Sequence, residues 1–212
     1  MKIEIIEQIG AVVRQVRSVE HDGRSAKVVV ASRSYATDPE DLWNAITDPE
    51  RLRRWFLPVS GELRLGGRYQ LEGNAGGTIT TCQRPNALAL TWEFGGEVSW
   101  LEVRLSPESS DRTRLELEHT EIPGDHWRTY GPGAGGVGWD LTLLGLDQFL
   151  AVGRVPDPVA WPASDEGKAF VSRSAQAWGE ADIASGADAA AARAAARRTE
   201  AFYKGEDEAS GD

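Results

Sequence analysis

The segment from Gly135 to Val152 restricts the possible fold more than any other. Val137, Trp139, Leu141, Leu143, Leu144, Leu146, Phe149 and Leu150 make an apolar set too wide for the single stripe of a surface helix. Such a helix needs cover on more than one side. The residues before it supply many short alternating strands and no comparable second helix, so the expected cover is a curved antiparallel sheet wrapped around it. That arrangement implies an internal pocket between helix and sheet.

From Gly61 onward the apolar period is two. Leu63 and Leu65 lead to a Gly66-Gly67 turn, Tyr69 and Leu71 alternate with Arg68, Gln70 and Glu72, and Gly76-Gly77 opens a strand through Ile79 and Cys82. Leu88, Leu90, Trp92 and Phe94 share one face of the next strand. After Gly95-Gly96, Leu101, Val103 and Leu105 alternate with Trp100, Glu102 and Arg104, and then Leu115, Leu117 and His119 lie opposite Arg114, Glu116 and Glu118. The pattern predicts an antiparallel meander with one wet face and one dry face, the dry one covered by the long helix. Upstream, the β-branched residues within 3–19 and the His21-Asp22-Gly23 turn predict a hairpin with the strand Lys27 to Tyr35. Asp38 before Pro39 and Asp48 before Pro49 start two short helices, Pro39 to Ala45 and Pro49 to Trp55. Each aspartate can accept from orphan amides, and each proline sits where no N–H is required.

Pro156, Pro158 and Pro162 cannot continue the long helix, so the core is expected to end there. Beyond them Ser164 caps a segment with Phe170, Val171, Ala175, Trp178 and Ala181 at helical spacing, and Asp188 caps an alanine-rich run to Tyr203. Two helices with so little bulk should dock on the core rather than stand alone. The expected organisation is a domain over 1–153, a Pro-rich linker over 154–163, a docked helical extension over 164–204 and a disordered acidic tail over 205–212. A homodimer through the extension is compatible with this reading, although no heptad pattern demands it.

The formal charge of -10 argues against a nucleic-acid partner, since phosphate neutralisation needs a basic face. Cys82 is the only cysteine, which forbids an intramolecular disulfide and fits a reducing cytoplasm. No apolar run approaches the roughly 18 residues of a membrane span, so neither export nor insertion is expected.

The run Thr37-Asp38-Pro39-Glu40-Asp41-Leu42-Trp43-Asn44-Ala45-Ile46-Thr47-Asp48-Pro49-Glu50, then Arg54-Trp55-Phe56 before a glycine-punctuated meander, resembles the activator-of-heat-shock-protein-ATPase homologue branch of the START-like, polyketide-cyclase superfamily. Gly138-Trp139 in the long helix is similar to that branch as well, and the likeness covers about residues 25–152. It implies an α+β helix-grip fold, in which two small helices and a long C-terminal helix close a curved sheet over a cavity. It also implies binding of a lipid, sterol, polyketide or hormone, with cyclisation or dehydration in a few members.

The expected ligand is a small hydrophobic or amphipathic molecule, with no cofactor and no metal. Tyr69, Trp92, His119, Trp139 and Leu143 are the expected cavity wall, with Trp55 and Phe56 near its mouth. His119, on the dry face beside Leu117, is the candidate acid or base, with Tyr69 as partner to a substrate oxygen. The opposing reading is a satisfied structural histidine at a strand end. His126 is read as exposed in a polar loop, His21 sits in a turn, and no histidine pair has metal-ligand spacing. Cys82 is read as a small buried residue. Trp43, Trp55, Trp92 and Trp139 fall on core-facing positions, where packing alone would explain them. Gly131-Pro132-Gly133-Ala134-Gly135-Gly136 matches G-x-G-x-x-G in form only, because no strand precedes it and no βαβ unit follows. It is read as a flexible lead-in to the long helix, able to act as a lid. A third reading of the whole chain is a protein-binding, co-chaperone-like module using the sheet or the C-terminal helices.

Overall fold

Helix starts foretold by single residues are present with their caps. In the computed structural model, which describes residues 3–158 and 160–206, Asp38 accepts from the Asp41 amide at the start of α2 (Pro39–Thr47). Asp48 accepts from Arg51 at the start of α3 (Pro49–Trp55). Ser164 does the same for Gly167 in α7 (Asp165–Ala184), and Asp188 for Ala191 in α8 (Ala189–Lys204). Each bond satisfies an amide the helix itself cannot.

The remaining elements are α1 (Ile5–Gly10), β1 (Val13–His21), β2 (Arg24–Tyr35), β3 (Val59–Gly61), β4 (Arg68–Leu71), β5 (Gly76–Gln83), β6 (Ala87–Phe94), β7 (Glu97–Ser109), β8 (Arg112–Glu121), α4 (Asp125–Tyr130), the long α5 (Gly133–Val152) and α6 (Ala160–Ala163). The sheet order is β1-β2-β8-β7-β6-β5-β4-β3, and every pairing from β3 to β8 is antiparallel. This is the helix-grip arrangement of a curved sheet with a long helix and two short ones.

The chain divides into two compact units. One takes 1–31, 123–141 and 156–212; the other takes 32–122 and 142–155. The chain passes between the units after residues 31, 122, 141 and 155, and α5 itself contributes Gly133 to Leu141 to the first unit and Thr142 to Val152 to the second.

In the first unit α7 packs on β1 and α1, and α8 packs on α7 and α4. Trp178, Phe170, Val171 and Ala175 are completely or almost completely buried. The glycine run is not a loose lid. A Cβ on Gly136 would stand 2.4 Å from Trp178 Cε2 and one on Gly133 3.0 Å from Thr199 Cγ2, so these glycines let α5 approach α7 and α8 closely. The polar segment around His126 is helical, not a loop: Arg198 donates to the Thr129 carbonyl and Thr199 to that of Tyr130, satisfying the last turn of α4. Residues 5–10 form a helix where a strand was expected; Ile5, Ile6 and Ile9 follow helical spacing, and the adjoining Ile3 amide is held by Glu166 on α7 at 2.9 Å. The hairpin follows at β1–β2, turning through Asp22 and Gly23, both at positive φ. The linker expected over 154–163 contains α6, and Val159 lies outside the described residues. Gly205 closes α8 in the left-handed conformation; most of the tail expected to be disordered, 207–212, lies outside the described residues.

In the second unit Leu143, Leu144, Leu146 and Phe149 of α5 are buried together with Tyr35, Leu42, Trp43, Leu52 and Trp55. Tyr35 donates its hydroxyl to the Leu143 carbonyl, and Trp55 donates its indole N–H to Ala45, tying α3 to α2. Three expectations fail here. Leu63 and Leu65 are not strand residues: the chain turns through Glu62–Arg64–Gly67 backbone bonds, and Leu65 is 59% exposed. Phe94, at the Gly95-Gly96 turn, is likewise exposed. Cys82 is exposed rather than buried; β5 shifts register between Ile79 and Thr81, and Cys82 lies beyond the shift.

Candidate functional site

Alternation and register put one set of side chains on the inner face of the second unit's sheet. Trp92 stands opposite Ser99, Leu90 opposite Leu101 and Leu88 opposite Val103; Leu101 in turn faces His119, and Val103 faces Leu117. The two halves of this face differ in cover. Leu101, Val103, Leu105, Leu115 and Leu117 are buried, whereas Leu88, Leu90, Trp92, Ser99 and His119 are only half-buried. Tyr69, Leu71 and Ile79 form a buried cluster with Phe56, Leu57, Val59, Leu88, Leu90 and Trp92 packed against it. The result is an apolar strip, aromatic at one end, that solvent still reaches.

Polar groups punctuate the strip. His119 Nε2 lies 2.7 Å from the Ser99 hydroxyl, which also lies 3.2 Å from the Trp92 carbonyl, and the imidazole meets the Trp92 ring at 6.0 Å between centroids. Ser99 has one proton for two acceptors. Given to Trp92, it leaves the hydroxyl to accept from an Nε2–H; given to Nε2, it requires the other tautomer. Desolvation pushes His119 down to about 4, so the ring is neutral at ordinary pH. Glu121, two residues on along the same strand face, is pushed the other way, to about 7, by desolvation and then by the charge of Glu97. A neutral imidazole and a carboxyl poised near neutrality therefore share one end of the face.

Of the expected site residues, Phe56, Tyr69 and Trp92 meet in one cluster, and His119 joins Trp92. Trp55 stacks on Phe56 with centroids 5.6 Å apart, but its own ring is buried. Leu143 is buried beneath Tyr35. Trp139 is buried in the α5 segment that belongs to the first unit. Tyr69 commits its hydroxyl proton to the Thr91 carbonyl at 2.8 Å, and desolvation raises its pKa, so it can offer a ligand only a lone pair. Ser99 and Glu121 escaped the sequence reading. Both had a visible signal, since strand alternation from Leu117 puts Glu121 on the dry face and alternation from Leu101 puts Ser99 there; the pairing of Ser99 with His119 depends on cross-strand register. Among the described residues, no group of three or more His, Cys, Asp or Glu side chains could hold a metal ion.

A sheet gripping a long helix, with an accessible apolar strip on its inner face, defines a helix-grip protein of the START-like superfamily. The family model for Activator of Hsp90 ATPase homolog 1-like proteins matches residues 36–151, and the chain belongs to that family. It is similar to CalU16 from Micromonospora echinospora. The CalU16 crystal structure aligns at 31% identity over 81% of this chain and 98% of that one, with a TM-score of 0.65. The CalU16 solution structure gives 31% identity over 82% and 97%, with a TM-score of 0.68. DynU16, described as a putative protein in the dynemicin biosynthetic locus, shares the fold at 18% identity over 66% of this chain and 58% of that one, with a TM-score of 0.52. No curated protein matches. Membership gives the chain a fold that supports a ligand-binding or cyclase-type role. No described helix is long and apolar enough to cross a membrane.

Proposed function

We propose that the second unit binds a small hydrophobic or amphipathic molecule, of lipid, polyketide or aromatic type, along the inner-face strip from Leu88 to Trp92. The observation that carries this reading is the uneven cover of one continuous apolar face: Leu101 and Leu117 are sealed, while their neighbours Leu90 and Trp92 are not. Apolar surface left accessible inside a fold gains free energy when a ligand covers it, at about 25 cal/mol per Å². His119 and Ser99 supply orientation, since a ligand oxygen or N–H could exchange with their mutual hydrogen bond.

Native and denaturing mass spectra of the protein purified gently from its host test this. The expected result is a reproducible small-molecule mass on the wild type that is lost on denaturation and absent from Trp92→Arg. Equal occupancy in both proteins, or none in either, would overturn the reading.

A second reading, an enzyme on the same fold, has its own support in the divergent environments of His119 and Glu121, the pattern by which paired groups divide base and acid roles. In that case His119→Gln removes turnover of the captured molecule and spares its affinity; unchanged turnover would sink the mechanism.

A further inference from the structure

Arg33 is the most unusual residue of the second unit. It lies in β2, in a stretch buried on both strand faces, and is itself only 5% exposed. Arginines are rarely buried so deeply unless every donor is engaged. Here one terminal nitrogen, Nη2, donates to Asp147 Oδ1 on α5 at 2.7 Å, while the buried Nε–H has no protein partner. The guanidinium carbon also lies 5.6 Å from the centroid of the Tyr35 ring.

Its direction follows from its neighbours. Ser32 points to the outer face, where its hydroxyl accepts from Arg114 at 2.8 Å. Arg33 and Tyr35 point the other way, toward α5: Tyr35 reaches the Leu143 carbonyl and Arg33 reaches Asp147. β2 is hydrogen-bonded to β8, whose inward side chains are Leu115, Leu117 and His119. The unpartnered donor therefore faces the inner side of the sheet, with β8 and β7 between it and the strip on β6.

We propose that the Arg33 Nε–H is the polar anchor of the ligand and donates to a neutral oxygen, a carbonyl or phenol, carried by an otherwise apolar ring system. The proposal rests on the ligand-binding reading above and narrows it. Asp147 already neutralises the guanidinium, so an added carboxylate would enter the buried site without a countercharge of its own. A carbonyl brings only lone pairs, and gives the orphan donor the bond it lacks.

Fluorene and 9-fluorenone have one skeleton and differ by a single carbonyl, which makes them suitable probes. Quenching of tryptophan fluorescence gives the affinity of each for the wild type, Arg33→Met and Arg33→Lys, the last keeping a charge for Asp147 without the Nε fork. The affinity ratio of fluorenone to fluorene should fall about tenfold in both variants while fluorene binding stays within about twofold. An unchanged ratio would overturn the anchor and leave the apolar site standing; failure of both probes to bind the wild type would overturn both. Should the variants not fold, nitrogen NMR of the wild-type protein decides: the Arg33 Nε–H resonance moves with fluorenone and not with fluorene, and an immobile resonance refutes the proposal.

Discussion

Each unit holds a polar side chain beside a serine and a tryptophan, and the two groups are built to opposite ends. In the first, Asp140 on α5 is sealed: its Oδ2 accepts from Arg14 Nε at 2.9 Å, from Ser174 at 2.5 Å and from Trp178 Nε1 at 3.1 Å. Desolvation raises the carboxyl above the usual aspartate range, and the Arg14 charge and three hydrogen bonds work against that rise. In the second, His119 touches Ser99 and the edge of Trp92, and all three remain half-buried. Trp178 spends its N–H inside the network and shows no surface, whereas Trp92 presents a face. The first group is not fully satisfied either, since Asp140 Oδ1 and Arg14 Nη2 have no protein partner; what separates the two is cover, because only the second lies beside apolar surface that solvent reaches.

That contrast can be broken, and the largest effect belongs to the sealed group. Asp140→Ala strands the Arg14 guanidinium in the interior and should cost about 3 kcal/mol or more in urea unfolding; a loss under about 1 kcal/mol would mean that the network is not structural. Next comes Gly136→Ala. Alanine in an exposed helix would gain about 1 kcal/mol. Here its Cβ would meet the immobile Trp178 ring, and a net loss of about 1–2 kcal/mol is expected.

In the open group the expected effects depend on pH and fall below that of the Asp140 substitution. His119, depressed from 6.5 to about 4, contributes stability that is present above 6.5 and lost as pH falls through 4. Glu121, raised from 4.5 to about 7, contributes stability that is present below 4.5 and lost as pH rises through 7. His119→Gln should therefore gain on the wild type as pH falls from 6.5 to 4, by about 2 kcal/mol after allowance for partial exposure. Glu121→Gln should gain as pH rises from 4.5 to 7, and parallel profiles for either variant would show that these carboxyl and imidazole environments are solvated. Ser99→Ala should cost least, about 1 kcal/mol, seen as a small drop in melting temperature.

The sequence carried what depends on neighbours along the chain. Asp38, Asp48, Ser164 and Asp188 announced their helices because a cap needs only a side chain and the amide three residues on. The dry face of β6 to β8 was legible from period two, and with it His119 and Trp92. What stayed hidden depends on partners far along the chain. The glycines before the long helix look flexible until Trp178 is set against Gly136. Residues 5–10 have strand-like composition, yet they form a helix that packs against α7. Ser99 and Arg33 owe their partners to register and to α5, neither of which a single strand encodes.

The central claim is that the half-covered inner face, and not the sealed core of the first unit, receives an apolar molecule. Methyl and indole NMR spectra recorded during a titration with fluorene test it directly. Shifts concentrated at Leu88, Leu90 and Trp92, with Val171 and Trp178 unmoved, are the expected result. Shifts confined to Val171, Trp178 and their neighbours, or none at the Leu88–Trp92 strip, would contradict it.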